Sequence, residues 1–444
     1  AEHFLQENRT ADIKKKGSVD PSYNPPEIEL RRNISLVTYN AIYFSGKIFA
    51  FFCIRYKIIA GKRDGGTMEL KNRETSGFNP DETKTVSWTP SEDSYTAIRA
   101  RYPRPVQLEV FNIPLEKFSF YPLSQLARAT LRYESEVYAM LEKCASAGTV
   151  PDMAFVSGGN RVLIADTVPE NLWFIGDVHG DLLALLAAVD YIDNYPAETA
   201  PVIVFLGDAC DRVNWGYETL LTIFHYIITR PGRVLFLAGN HDIELFYNKR
   251  YDVFYPGVIP ADFCEWLNLN IGKKPELSYF GQWLIGVMER MPHVLFLPDG
   301  TFAAHGGVPH IDLQRTIHSV MDLDTINARQ DFTWARFSPD EAHCDPNRRH
   351  KDIALGYRDF DAFCELAEEI LEQPVLRMIH GHEHPVRQWY DYPRYREHPI
   401  VTINSHRMVI PGAELTDIAV ARHRAGGAPE IHVLDLTVPA SYVN

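Results

Sequence analysis

The sequence predicts an α/β fold in which β-sheets are covered on their faces by helices. From about Arg161 onward the chain becomes a series of short, unbroken apolar runs: "LWFIGD", "PVIVFLGD", "RVLFLAGN", "TFAAHGG", "PVLRMIHGH" and "PIVTINSH". A strand with one wet face alternates apolar and polar residues, so continuous apolar runs mean strands buried on both sides. Several runs lead into segments with apolar residues at helical spacing, which puts helices over the sheets.

Residues 1 to about 30 are polar and Pro-containing, end in "NPPEIELRR", and read as a flexible lead. The run "AIYFSGKIFAFFCIRYKIIA" from Ala41 is the only membrane candidate. Lys47, Arg55 and Lys57 interrupt it and Ser45-Gly46 marks a turn, so a hairpin is expected and no span. A polar loop follows, "GKRDGGTMELKNRETSGFNPDETKT". Leu123 to Ala147 carries apolar residues at helical spacing and predicts a helix packed on the main body. Residues 1–150 thus form an N-terminal extension, and residues 151–444 the principal domain, with a long link at about 243–292. After Pro411, "IAVARHR" and "EIHVLDLT" add two strands that close a sheet. No internal repeat or low-complexity tract interrupts this order.

With 444 residues and 45% hydrophobic content the chain can bury a large core. Its net charge of −14 opposes binding to a polyanion through bulk charge, so no nucleic-acid partner is expected. Six cysteines, Cys53, Cys144, Cys210, Cys264, Cys344 and Cys364, stand without a C-x-x-C pair. Neither a disulfide framework nor a structural zinc site is legible in them, and a reducing, cytoplasmic setting is the expectation.

Each of the six apolar runs ends in a side chain able to hold a metal or a phosphate. In order they are Asp177 and His179 in "GDVHG", Asp208, Asp211 and Arg212 in "GDACDR", Asn240, His241 and Asp242 in "GNHD", His305 in "HGG", His380, His382 and His384 in "HGHEH", and His406. A single Asp or Asn after a strand makes an Asx turn; six such ends in register are a different matter. Carboxylate, imidazole and amide oxygen together suit Mn, Fe or Zn, whereas an all-oxygen shell suits Mg or Ca. Two cations roughly 3.5–4 Å apart can share a carboxylate and a water-derived nucleophile, and Asp208 is the obvious bridge.

The order and types of these residues resemble those of the calcineurin-like metallophosphoesterases. "GDxxDR" followed by "GNH" and "HGG" is similar to the phosphoprotein phosphatase branch in particular, over roughly Leu172 to His406. The resemblance implies a sandwich of two mixed β-sheets flanked by helices, and two divalent ions, with manganese the first choice. It places Asp177, His179 and Asp208 on the first ion, and Asp208, Asn240, His305 and His382 on the second. Broader relatives use a second histidine two positions on as an extra ligand of the first ion, which assigns His384; His380 is left as an outer neighbour. Arg212 would grip phosphate oxygens with its planar fork, and His241 would protonate the leaving oxygen, oriented by Asp211. A second arginine is expected from "DFTWARFSPDEAHCDPNRRHKDIALGYRDF", where Trp334 resembles the family's tryptophan; Arg349 is preferred to Arg348.

Several positions depart from the pattern. Asp242 replaces a glutamate, the tyrosine usual near "INSH" is missing with His406 close by, and the 243–292 link is long enough to roof the site. Its aromatics Phe246, Tyr247, Tyr251, Phe254, Tyr255 and Trp266 fit core packing better than a substrate platform. Cys210 reads as a buried small residue and not a nucleophile. The activity implied is hydrolysis of phosphoserine or phosphothreonine in proteins by attack of a metal-bridging hydroxide, with phosphotyrosine left open and a phosphoprotein as partner. The alternatives are a nucleotide or dinucleoside polyphosphate hydrolase and an inactive phosphoprotein-binding scaffold.

Overall fold

The computed structural model describes residues 43–44, 47–48, 108–112, 123–153, 161–384, 388–410, 413–415 and 417–436. The polar lead, the loop at 61–85 and Cys53 lie outside them. Backbone contacts divide the chain into residues 1–79 and 80–444. In the first unit Tyr43–Phe44 pairs antiparallel with Lys47–Ile48, within the run read as a hairpin. In the second, the strand Leu108–Asn112 pairs in parallel with Glu430–Asp435.

That second unit holds two six-stranded mixed sheets. The first runs, across the sheet, through Leu108–Asn112, Glu430–Asp435, Asp417–His423, Leu172–Ile175, Val202–Phe205 and Val234–Phe236, the last three mutually parallel. The second runs through Trp389–Asp391, Ile400–Ile403, Arg377–His380, Thr301–Ala304, Val294–Phe296 and Val162–Ile164. "IAVARHR" and "EIHVLDLT" supply adjacent antiparallel strands of the first sheet.

Strand alternation sorts the core into three layers. Leu172, Phe174, Val204 and Leu235 of the first sheet meet Leu295, Ala303, Ile379 and Val401 of the second. Trp173, Ile175, Ile203 and Phe205 point the other way, into the helices Leu182–Asn194, Gly216–Thr229 and Glu276–Met288. Val294, Phe296, Phe302 and Met378 pack outward on Tyr357–Leu371, which presents Phe360, Phe363, Cys364 and Ala367 at helical spacing. This larger unit is therefore an αββα sandwich, as its runs and its resemblance implied.

Local chemistry starts the helices where the sheet needs them. Asp181 caps Leu182–Asn194 by accepting the Ala184 N–H at 3.2 Å, and the Asp359 carboxylate accepts the Gly356 N–H at 3.0 Å ahead of Tyr357–Leu371. The helices Leu123–Thr130 and Glu134–Ala147 cover the first sheet's helical layer, where the Tyr138 ring meets Phe280 at 5.1 Å. No helix among the described residues is long and apolar enough to cross a membrane.

Candidate metal centre

Parallel strands of the two sheets deliver their carboxyl ends to one region, where ligands gather in open α/β sheets. Asp177 and His179 follow Leu172–Ile175; Asp208, Asp211 and Arg212 follow Val202–Phe205; Asn240 and His241 follow Val234–Phe236. From the second sheet, His305 follows Thr301–Ala304 and His382 follows Arg377–His380. The sheets are tied here by a parallel bridge between Asp177 and Asn404 and by the Ser405 N–H donating to the Asp177 carbonyl at 2.9 Å.

The turns are conformationally demanding. His179, Asp208, Asp211, Arg212 and His382 all have left-handed backbone, with φ between 48° and 69°. Such conformations cost about 1–3 kcal/mol each and persist where their surroundings overdetermine them. Here the surroundings leave no room to relax: a Cβ on Gly239 would strike the Asp208 carboxylate, and one on Gly381 the Asp177 carboxylate. Asp242 holds the Asp208 turn from below, accepting N–H groups of Asp208 at 2.7 Å, Gly239 at 2.8 Å and Ala209 at 3.1 Å. The shorter acid in "GNHD" thus positions another ligand's loop.

Three overlapping groups bring potential ligand atoms within 4.8 Å of one another: Asp177, His179 and His384; His179, Asp208 and His241; Asp208, His305 and His382. His179 Nε2 lies 3.5 Å from Asp208 Oδ2 and 3.6 Å from Asp177 Oδ2. His305 Nε2 lies 3.3 Å from the same Asp208 oxygen and 2.9 Å from Asn240 Oδ1. Asp208 therefore stands between the two halves of the cluster. His384 Nε2 comes to 3.8 Å from Asp177 Oδ2.

The ring tautomers are set from behind. His179 Nδ1 is 3.0 Å from the Cys210 carbonyl and His305 Nδ1 is 3.0 Å from the Leu206 carbonyl, so both turn Nε2 to the acids. His382 is reversed: its Nε2 donates to the Trp334 carbonyl at 3.0 Å, which leaves Nδ1 for a ligand. Backbone carbonyls fixing ring orientation are the usual support of metal-binding histidines. His179 Nε2 and Asp208 Oδ2 are buried without a hydrogen-bond partner. Buried polar atoms normally find one, and a divalent cation supplies what this donor set lacks. The residues fit the metal pair.

Burial pushes His179, His382 and His384 below the ordinary imidazole range; for His384 the next cause is the Arg212 guanidinium. Neutral rings are what a cation requires. In the metal-free chain His305 behaves oppositely: burial disfavours its charge, but Asp208 and Asp177 outweigh it and raise it to about 9. That proton sits where a cation's charge would sit. Asp177 is raised, first by burial, while Asp208 is held low despite burial because His305 and His241 face it.

His241 and Asp211 form a buried pair, Nδ1 to Oδ2 at 2.7 Å. Burial lowers the His241 pKa, yet Asp208 and Asp211 raise it on balance, a setting that favours a proton-carrying imidazole. Arg212 is exposed and makes no ion pair among the described residues, leaving its fork available. Arg349 is not brought to the cluster: it is exposed, and its backbone N–H donates to Asn347 Oδ1. Arg348 is held elsewhere, gripping Asp312 at 2.7 Å and the buried Asp331 at 3.0 Å. Acids on neighbouring helices outcompete the site for that arginine.

Of the other histidines, His380 is buried against Thr402 Oγ1 at 2.7 Å, and His406 Nδ1 lies 3.0 Å from the Asp177 carbonyl, its ring 4.9 Å from that of His179. Cys210 is buried and its thiol is pushed up by burial, an inert setting. The 243–292 link folds as a hairpin and two helices; Phe254 enters the core, while Tyr251 and Tyr255 stay exposed. Its unforeseen contacts with the site are Asp262, which accepts the Arg212 N–H at 2.8 Å, and Phe263, whose N–H donates to Asp211 at 2.9 Å. Nothing in "PADFCEW" signals such contacts.

Residues 171–386 match the family described as calcineurin-like phosphoesterase. These residues form a calcineurin-like phosphoesterase domain. The curated relatives of this phosphoesterase domain include serine/threonine-protein phosphatase 7 of Arabidopsis thaliana, 29% identical over 138 residues, 31% of this chain and 30% of that protein. Human serine/threonine-protein phosphatase 5 is 35% identical over 131 residues, 30% of this chain and 25% of that protein. The matched stretch thus spans less than a third of either relative. A Saccharomyces cerevisiae protein serine/threonine phosphatase with similarity to human phosphatase PP5 superposes with a TM-score of 0.46 at 16% identity, covering 69% of this chain and 91% of that one.

Proposed function

We propose that the chain is a metal-dependent phosphomonoesterase that removes phosphate from phosphoserine and phosphothreonine in proteins. The observation that carries this reading is the Asp208 carboxylate, standing between two sets of inward-turned ligand atoms, with the His241–Asp211 pair at its side. Similarity to serine/threonine phosphatases supplies the substrate class. Asp177, His179, His384 and Asp208 would hold one divalent ion, and Asp208, Asn240, His305 and His382 the other. Bound there, such a pair polarises phosphoryl oxygens and makes a water acidic enough to attack at neutral pH.

The chain's own groups complete the site. Arg212 orients two phosphoryl oxygens through its fork. His241 delivers a proton to the leaving serine or threonine oxygen, and Asp211 keeps the ring turned and charged for that task. The proposal extends to a reducing compartment: five described cysteines, Cys210 and Cys264 among them, are free thiols.

Purified chain, loaded with manganese and offered a phosphopeptide panel beside a nucleotide panel, tests the reading. Turnover of phosphoserine and phosphothreonine peptides is the expected result. Hydrolysis confined to nucleotides would replace the protein-phosphatase assignment with a nucleotide hydrolase, and no hydrolysis with metal bound would leave a phosphoprotein-binding scaffold.

A further inference from the structure

The 243–292 link reaches the site through two consecutive residues at the start of its first helix. Asp262 Oδ2 accepts the Arg212 N–H at 2.8 Å, and the Phe263 N–H donates to Asp211 Oδ1 at 2.9 Å. These contacts fall on the two residues that must be aimed: Asp211, whose other oxygen holds His241, and Arg212, whose charge is felt by His384. Both have left-handed backbone, φ 69° and 66°. Two adjacent non-glycine residues in that region hold their shape only if something outside the turn fixes it.

Asp262 is not used in the way its position suggests. It opens the helix Asp262–Asn270, yet the preceding Ala261 makes no side-chain cap, and the Asp262 carboxylate accepts the Arg212 backbone N–H. The helix is anchored independently, through buried Phe263, Cys264 and Leu267. Its carboxylate is therefore available for the turn and not spent on the helix. A hairpin strand also ties in, since Asn268 pairs with the Phe254 backbone in both directions, at 2.9 and 2.8 Å.

We propose that Asp262 is a positioning residue for the reaction: it pins the Arg212 backbone, while the adjoining Phe263 N–H orients Asp211, so that the link braces the phosphate clamp and the proton donor. The inference rests on the phosphatase reading for its consequence on rate, and on geometry alone for its consequence on phosphate binding. Released from Asp262, the turn relaxes and the guanidinium leaves its aim. A displacement of about 1 Å in such a group is worth on the order of 100-fold in rate.

The test compares wild type, Asp262→Ala and Asp262→Asn, each loaded with manganese. An amide oxygen still accepts the Arg212 N–H, so the asparagine variant should stay close to wild type. The alanine variant should lose about 10- to 100-fold in kcat/KM on an aryl phosphate, bind inorganic phosphate more weakly by calorimetry, and show a displaced alkaline limb in its pH profile, with unchanged metal stoichiometry. If alanine does not fold, Asp262→Ser, with a shorter acceptor, should fall between the two. Wild-type phosphate affinity and pH profile in the alanine variant would overturn the proposal, as would an asparagine variant as impaired as alanine. A wild type that binds metal yet hydrolyses no phosphomonoester would sink the phosphatase reading instead; the phosphate affinities would then still decide the brace.

Discussion

Two regions carry the same kind of sequence signal and fare differently in the fold. The strand ends from Asp177 to His382 converge within a few ångströms. The "NRRH" turn does not: Arg348 is drawn to Asp312 and Asp331, and Arg349 stands in solvent. A side chain at the end of a buried strand has its position dictated by sheet register, so the sequence of the strand nearly determines where it goes. A side chain in a loop goes where the strongest partner is, and that partner is set by other segments. Chemistry read from strand ends is for this reason more secure than chemistry read from loops.

The harshest trial of the convergent region is Asp208→Asn, which keeps the shape and removes the charge shared by both halves. Aryl phosphate hydrolysis should fall to background, and metal analysis should show loss of bound ion, with the circular dichroism spectrum unchanged. Undiminished turnover would mean that the convergence is architectural and not catalytic.

What the sequence discloses follows the same division. The αββα layering comes from unbroken apolar runs, and Trp173 against Phe174 shows why: successive residues enter different cores, so both must be apolar. Asp177, His179, Asp208, Asn240, His305 and His382 are legible because each closes such a run. The left-handed backbone at His179, Asp208 and His382 is invisible in residue identity, since none is glycine. Contacts between distant segments are equally hidden. Trp334 is legible only by its resemblance, and the sequence does not show that its backbone carbonyl sets the His382 tautomer. Asp262 lies 50 positions from Arg212, in a helix with no marker of its own. Asp242 appeared as a departure from a pattern; only the fold shows it gripping three backbone N–H groups.

A smaller effect tests the edge of the convergent region, where His384 is a fifth exposed while its neighbours are buried. His384→Ala should weaken the first manganese ion by more than about tenfold, and leave the second site's affinity intact. Acidity should act on the wild-type sites with a definite sign. His305, raised to about 9, carries a proton below that pH in the metal-free chain, and the raised Asp177 joins it in acid. Each must lose its proton to bind a cation, so affinity rises with pH, by about tenfold per unit for each proton displaced. Calorimetry in buffers of different ionisation enthalpy should record proton release between pH 6 and 9. A manganese affinity that is flat over this range would contradict the ligand role of His305, and equal affinities in His384→Ala would mean that His384 does not bind the first ion.

The mildest contrast lies in the "NRRH" turn itself, where two adjacent arginines should behave unlike each other. Arg348 bridges Asp312 and the fully buried Asp331, so Arg348→Ala leaves a buried carboxylate without its counter-ion. Breaking such a pair costs about 3–5 kcal/mol when both partners are buried. Arg348 is a third exposed, so solvent screening reduces the expected loss to about 2 kcal/mol. Burial already raises Asp331 and Arg348 opposes that shift, so without the arginine its folded-state pKa climbs further above the unfolded value. An acid so raised destabilises the fold as pH rises and stops doing so once protonated. The deficit of Arg348→Ala should therefore be largest at neutral pH and shrink in acid. Arg349→Ala should change stability by less than about 0.5 kcal/mol, as exposed substitutions do. If it nevertheless lowers kcat/KM as Arg212→Ala does, the loop closes over bound phosphate and the two regions form one site during turnover; urea titrations with aryl phosphate kinetics on the same two variants separate these outcomes.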